Sequence, residues 1–232
     1  MYLTEPIWLR FISFTERGRK ELSEKERITI ASILKKVLLK NFIKLKGFEE
    51  ANQLFPNFSK GALPSDKLLE IKKIYSESHK DVFEKKMIAW FFPKAYIDEL
   101  KKYFPNTKFV DGNNMPCFID FDKEKIESPY FYFAGTDMGF QEDISLLSYK
   151  INTEKFHLIG KDGKKWMKKY IEEDAEKERI KMLKRLHFVT LKKAVTVPVV
   201  FCPYVSVVRK PYHLHFPKYT YDNNFWGIHY DE

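Results

Sequence analysis

The sequence predicts an α+β protein, and three observations carry that prediction. Helical periodicity runs through the first hundred residues, short aromatic and β-branched runs follow from Thr107, and a long lysine-rich helical pattern interrupts them after Gly163. The expected arrangement is a helical N-terminal half (about 1–104) packed on a mainly antiparallel sheet (about 106–216), with one long inserted helix (about 164–186). This reads as a single α+β domain over 1–232, with a subdivision into a helical part, 1–104, and a β-rich part, 105–232.

The clearest helix starts at Ser23, because Ser23 and Glu26 have capping-box spacing. Ile30, Ala31, Ile33, Leu34, Val37, Leu38, Phe42 and Leu45 follow on one face, with Lys35, Lys36, Lys40 and Lys44 around it and Gly47 as terminator. The loop from Phe55 to Ser65 leads to a second helix through Leu68, Leu69, Ile71, Ile74 and Tyr75, capped by Ser65 or Asp66. Helical pattern resumes from Asp81 to Phe92, and a short helix spans Ala95 to Tyr103.

After Thr107 the runs KFVDG, PCFIDFD and PYFYFAG read as three strands, with two more expected across 144–160. The long helix places Met167, Ile171, Ala175, Met182 and Leu186 on one stripe, while its charged middle, EEDAEKER, points to water. HFVTL and TVPVVFCPYVSVV then read as strands, with Pro198 and Pro203 marking edges or bulges.

Composition sets the function classes. The chain is 44% hydrophobic and 16% aromatic, so it can bury a core and still offer rings for stacking. Cys117 and Cys202 form neither a disulfide framework nor a zinc spacing, which predicts a reducing compartment. The N-terminus lacks the pattern of a secretory signal, and no apolar run reaches the roughly 18–20 residues of a membrane span. The expected location is therefore cytoplasmic. A net charge of +9 favours contact with an acidic partner, whether nucleic acid, an anionic membrane or an acidic protein, and nucleic acid or an acidic protein is the expected one. The charge is uneven: residues 151–200 hold 13 Lys and Arg against 7 Asp and Glu, and residues 105–150 hold 4 against 8.

The basic stretch supplies the main candidate site. Lys161, Lys164, Lys165 and Lys168 share one side of a helix, with Lys169, Trp166 and Tyr170 adjoining and Lys181, Lys184 and Arg185 near its end. Such a face can hold a phosphate backbone in a salt-sensitive, largely sequence-independent way. The expected function is a basic intracellular protein that binds nucleic acid through this lysine-rich helix and in an enzymatic version also processes it. Two alternatives stand beside it: a protein-interaction module, such as an immunity or adaptor protein, and a metal-dependent enzyme.

The metal candidate rests on Tyr212-His213-Leu214-His215-Phe216. In a strand the two imidazoles project from one face, so His213 and His215 can meet one divalent metal. Asp120 and Asp122 alternate in the same way and complete a set able to hold manganese, iron or zinc. The triplet resembles the metal-binding motif of the HUH endonucleases over three residues. That resemblance implies a cation at a scissile phosphate and a tyrosine nucleophile, for which Tyr219 and Tyr221 follow nearby. The segment from Gly135 to Gly139 reads as a tight turn able to bind a small anion. Nucleotide-binding glycine loops and a serine-hydrolase elbow are absent from the sequence.

Overall fold

A computed structural model describes residues 2–3, 8–57, 59–76, 82–111, 127–137, 163–203, 205–206, 212–214 and 228–230. Its elements in chain order are β1 (Tyr2–Leu3), β2 (Trp8–Phe14), α1 (Glu16–Glu21), α2 (Glu24–Phe42), β3 (Glu49–Glu50) and α3 (Ser65–Ser76). They continue with β4 (Met87–Trp90), α4 (Lys94–Lys101), β5 (Thr107–Val110), β6 (Phe131–Asp137), α5 (Gly163–Glu172) and α6 (Glu176–Lys192). The last are β7 (Thr196–Cys202), β8 (Val205–Ser206), β9 (Tyr212–Leu214) and β10 (Ile228–Tyr230). The α+β class is as the sequence predicts.

Six strands form one mixed sheet in the order β3-β7-β2-β6-β4-β5. β2 runs antiparallel to β6 and β7, whereas β4 runs parallel to β5 and β6. β4, β5, β6 and β7 therefore point the same way, and their carboxyl ends share one edge with the start of β2. β1 pairs with β8, and β9 with β10, in two further two-stranded ladders.

Period-two alternation sends the two faces of the sheet into two cores. Ile12, Phe14, Phe131, Phe133 and Val197 pack under α2 and α4 with Ile30, Leu34, Leu38, Leu100 and Phe104. Leu9, Phe11, Tyr132 and Phe201 pack on the other face against Leu54, Phe55, Ile71, Leu183 and Leu186. Aromatic rings do much of the filling: Phe92 meets Phe109, Phe131 and Phe133 at centroid distances of 5.3–5.9 Å.

Helix α2 begins as expected, with the Ser23 N–H donating to Glu26 Oε2 at 2.7 Å and the Glu26 N–H to Ser23 Oγ at 3.2 Å. One lysine of its expected polar surround is buried. Lys35 Nζ donates to the Ala51 carbonyl (2.7 Å) and Asn52 Oδ1 (2.9 Å) and pairs with Glu50 at 3.2 Å, which ties β3 to the helix. Burial lowers the Lys35 pKa, and Glu50 works against that shift. Lys35→Met is expected to cost about 1–3 kcal/mol by stranding the Ala51 carbonyl, seen as a lower urea midpoint at unchanged slope.

Three local expectations are corrected. The stretch expected to be helical from Asp81 to Phe92 contains the strand β4, because MIAW is too short for periodicity to separate a buried strand from a helix. HFVTL, expected as a strand, lies inside α6, where His187 and Thr190 face the core. The single helix expected over about 164–186 is two, α5 and α6, with a break at residues 173–175. There Glu173 turns back on the chain: its carboxylate accepts from the Ala175 N–H (3.0 Å), and its carbonyl accepts from Arg179 Nη1 (2.8 Å). Pro198, expected at an edge or bulge, sits in the interior strand β7 beside a register shift between Arg10 and Phe11. No helix among the described residues is long and apolar enough to cross a membrane.

Candidate functional site at the carboxyl edge of the sheet

In open α/β sheets, ligands gather outside the carboxyl ends of the strands, where successive connections leave a strand in opposite directions. Here that place is the top of β4, which has β5 on one side and β6 on the other. The two neighbours of β4 differ in one respect. β5 follows β4 along its whole length, but β6 pairs with β4 only at Ala89–Phe131 and Trp90–Tyr132, then runs on to Asp137. On its other side β6 stays paired to β2 throughout, from Phe14–Phe131 to Trp8–Asp137. Among the described residues, β6 thus has an open edge over Phe133–Asp137.

Phe91 is the reason the ladder stops. Its φ of 64° takes the backbone out of the β region immediately after Trp90 and turns the chain off the line of the strand. Such a conformation is costly for an aromatic residue and recurs at binding sites. The Phe91 ring is 38% exposed and stands edge-on to Trp90 at 6.1 Å.

The wall across from Phe91 is built by β2 and β6. Arg10 lies opposite Gly135, and a Cβ on Gly135 would stand 2.2 Å from Trp8 Nε1, 2.7 Å from Arg10 Nη1 and 2.9 Å from Arg10 Cδ. Glycine is what leaves room for both side chains over β6. The guanidinium carbon of Arg10 sits 5.4 Å from the centre of the Trp8 ring, a cation–π distance. On the β7 side the buried Cys202 thiol donates to the Trp8 carbonyl at 3.2 Å, and burial pushes its pKa up, so it stays neutral. The edge can therefore offer an extended backbone, aromatic surface and one guanidinium.

The residues that the sequence singled out lie elsewhere or outside the described set. Lys165, Lys168 and Lys169 are exposed on α5, while Trp166 stacks on Tyr170 at 5.3 Å and packs against the core. Lys181, Lys184 and Arg185 belong to the separate helix α6. Lys168 pairs with Glu172 at 3.6 Å and Lys181 with Glu178 at 2.6 Å, so the basic residues neither share one helix nor stand free of acids. Lys164 lies on α5, and Lys161 is outside the described residues. Asp120, Asp122 and His215 are outside them too; His213 lies on β9, in register with His229 of β10. Among the described residues no three His, Cys, Asp or Glu side chains are grouped to hold a metal. The Gly135 end of the expected anion-binding turn is strand: Gly135–Asp137 continue β6.

Sequence reasoning missed Trp8, Arg10, Phe91 and Gly135 as a group. The available signal was Arg10 itself, a charge interrupting an apolar stretch that in fact forms a central strand.

No protein-family model and no curated protein sequence matches the chain. Solved structures do match in fold. The periplasmic binding protein DppA of Helicobacter pylori, associated with an ABC transporter and in complex with peptide STSA, aligns with 100% of this chain at 12% identity and a TM-score of 0.63. NikA of Brucella suis, in complex with Fe(III)-EDTA, aligns with 87% at 13% identity and a TM-score of 0.59. The murein tripeptide binding protein MppA of Escherichia coli aligns with 87% at 11% identity and a TM-score of 0.57. The chain spans 44–48% of the length of these structures.

These likenesses overturn the expected function. The fold is shared with substrate-binding proteins, and the nucleic-acid-binding reading is withdrawn, as are its alternatives of an interaction module and a metal-dependent enzyme at His213 and His215. The expected partners, nucleic acid or an acidic protein, and the expected cytoplasmic location fall with it, because the matching structures include periplasmic binding proteins. The physical source of the error is that net charge reports solubility and encounter, and is silent on fold.

Proposed function

We propose that this chain forms a peptide-binding lobe of a substrate-binding protein that serves an ABC transporter outside the cytoplasm. The observation that carries the reading is the edge of β6 over Phe133–Asp137, left open among the described residues, beside the point where Phe91 ends β4. An extended peptide can add there as a strand, with its main chain bonded to β6 and alternate side chains on either face of the sheet. Support comes from the fold shared with DppA in complex with a peptide and with a murein tripeptide binding protein.

The test is hydrogen exchange on the purified chain with pools of three- to five-residue peptides. Binding is expected to slow exchange of the amides within 133–137, with little change in the core of α2, and to shift the fluorescence of Trp8 and Trp90. If no pool shifts melting temperature or fluorescence, the reading is wrong. Slowed exchange confined to other segments would place the peptide elsewhere and sink the strand-addition geometry.

A further inference from the structure

The carboxyl-edge geometry says more about which peptide would be chosen, an inference that rests on the peptide-binding reading above. Arg10 does not stand upright on its strand. Its Cδ and Nη1 both lie within 3 Å of where a Gly135 side chain would begin, so the side chain lies over β6, while its guanidinium also hydrogen-bonds the Cys202 thiol on the β7 side. Trp8 lies against the same glycine and holds the guanidinium over its ring.

Among the described side chains no carboxylate pairs with Arg10. Glu50, which shares the Val200 register position on the far side of β7, is committed to Lys35 at 3.2 Å. The Cys202 thiol, which hydrogen-bonds Arg10, is held neutral by burial and so does not offset its charge. A half-buried guanidinium held over Gly135 by an aromatic ring and a neutral thiol still has donors left for an anion.

We propose that Arg10 is a specificity-determining residue, taking a carboxylate of the bound peptide that lies over Gly135 on the α2 side of the sheet. A strand added to β6 lies about 4.8 Å from it, so an aspartate or glutamate side chain, or the peptide's own C-terminal carboxylate, reaches the guanidinium without distortion. Gly135 is the positioning residue, since any side chain there would displace the guanidinium.

The experiment measures dissociation constants for alanine-based tetrapeptides carrying Glu or Gln at each position in turn, each made as C-terminal acid and amide. The wild-type chain is expected to prefer Glu over Gln at one position, or acid over amide, by about ten- to a hundredfold. A Glu/Gln preference identifies a side-chain carboxylate, an acid/amide preference the C-terminal one. In Arg10→Met and in Gly135→Ala that ratio is expected to collapse towards one, and in Arg10→Glu a Lys peptide is expected to displace the Glu peptide as the tighter ligand. Peptides that bind with both ratios below twofold, or a preference that survives Arg10→Met, overturn the role of Arg10 and leave peptide binding intact. If no peptide binds, both readings fall. The wild-type ratios decide the matter even if a variant fails to fold.

Discussion

Gly18→Ala is expected to lower the melting temperature by about 6–12 °C, from a stability loss of about 3 kcal/mol in a chain of this size. Helix α1 crosses β6 so closely that a Cβ at Gly18 would lie 2.0 Å from the Tyr130 carbonyl oxygen and 2.9 Å from its carbon. The obstacle is backbone, which cannot rotate away. The same carbonyl accepts from the Thr15 N–H at 3.0 Å, and Thr15 caps α1 by accepting from the Gly18 N–H at 3.2 Å, so moving the helix breaks the junction as well. Gly135→Ala is the informative comparison. It meets side-chain atoms of Trp8 and Arg10. Its stability loss should be smaller than that of Gly18→Ala, while its effect on ligand choice should be larger. Thermal melts of the two variants side by side check this; equal losses would show that the α1–β6 approach is not tight.

Stability is expected to fall by about 3 kcal/mol as pH drops from about 6.5 to about 4, through one histidine. His187 is fully buried in α6, its Nε2 accepting from the Leu54 N–H at 2.9 Å and its Nδ1 lying 3.1 Å from the Gly61 carbonyl. That pairing requires the neutral ring with its proton on Nδ1. Phe55 stands edge-on to it at 4.7 Å. Burial pushes the His187 pKa down to about 4, with the Gly61 bond opposing the shift. In the unfolded chain the group titrates near 6.5, so between the two values the unfolded state binds more protons. The contribution is complete above the unfolded value and lost as pH falls towards the folded one. Urea titrations across that pH range should show the slope, and His187→Ala should flatten it. That variant should also cost about 3–5 kcal/mol, from the cavity and from two stranded backbone groups. An unchanged slope in His187→Ala would assign the acid sensitivity to other groups.

The legible parts of the fold were those written in local pattern. Ser23 and Glu26 marked the start of α2, and Ile30, Leu34 and Leu38 its buried stripe, because capping and helical periodicity act within a few residues. PYFYFAG announced β6, and TVPVVFC announced β7. Trp8–Phe14 did not announce itself as the central strand, since both its faces are covered and Arg10 interrupts the apolar run. HFVTL was misread for the reason that β-branched and aromatic residues in a short window favour a strand until tertiary packing overrides them.

The candidate site was scarcely legible. Lysines are conspicuous in a sequence, and the lysine-rich segment drew attention away from a single arginine whose meaning depends on a glycine 125 positions later in the chain. By itself the sequence determined the class, the starts of α2 and α3, the segments of β5, β6 and β7 and the uneven charge, all properties of residues near one another in the chain. Tertiary structure alone decided that β2 lies between β6 and β7, that Phe91 ends one strand while its neighbour continues, and that Arg10 leans over Gly135. Each of these depends on register between distant strands, which no local preference encodes.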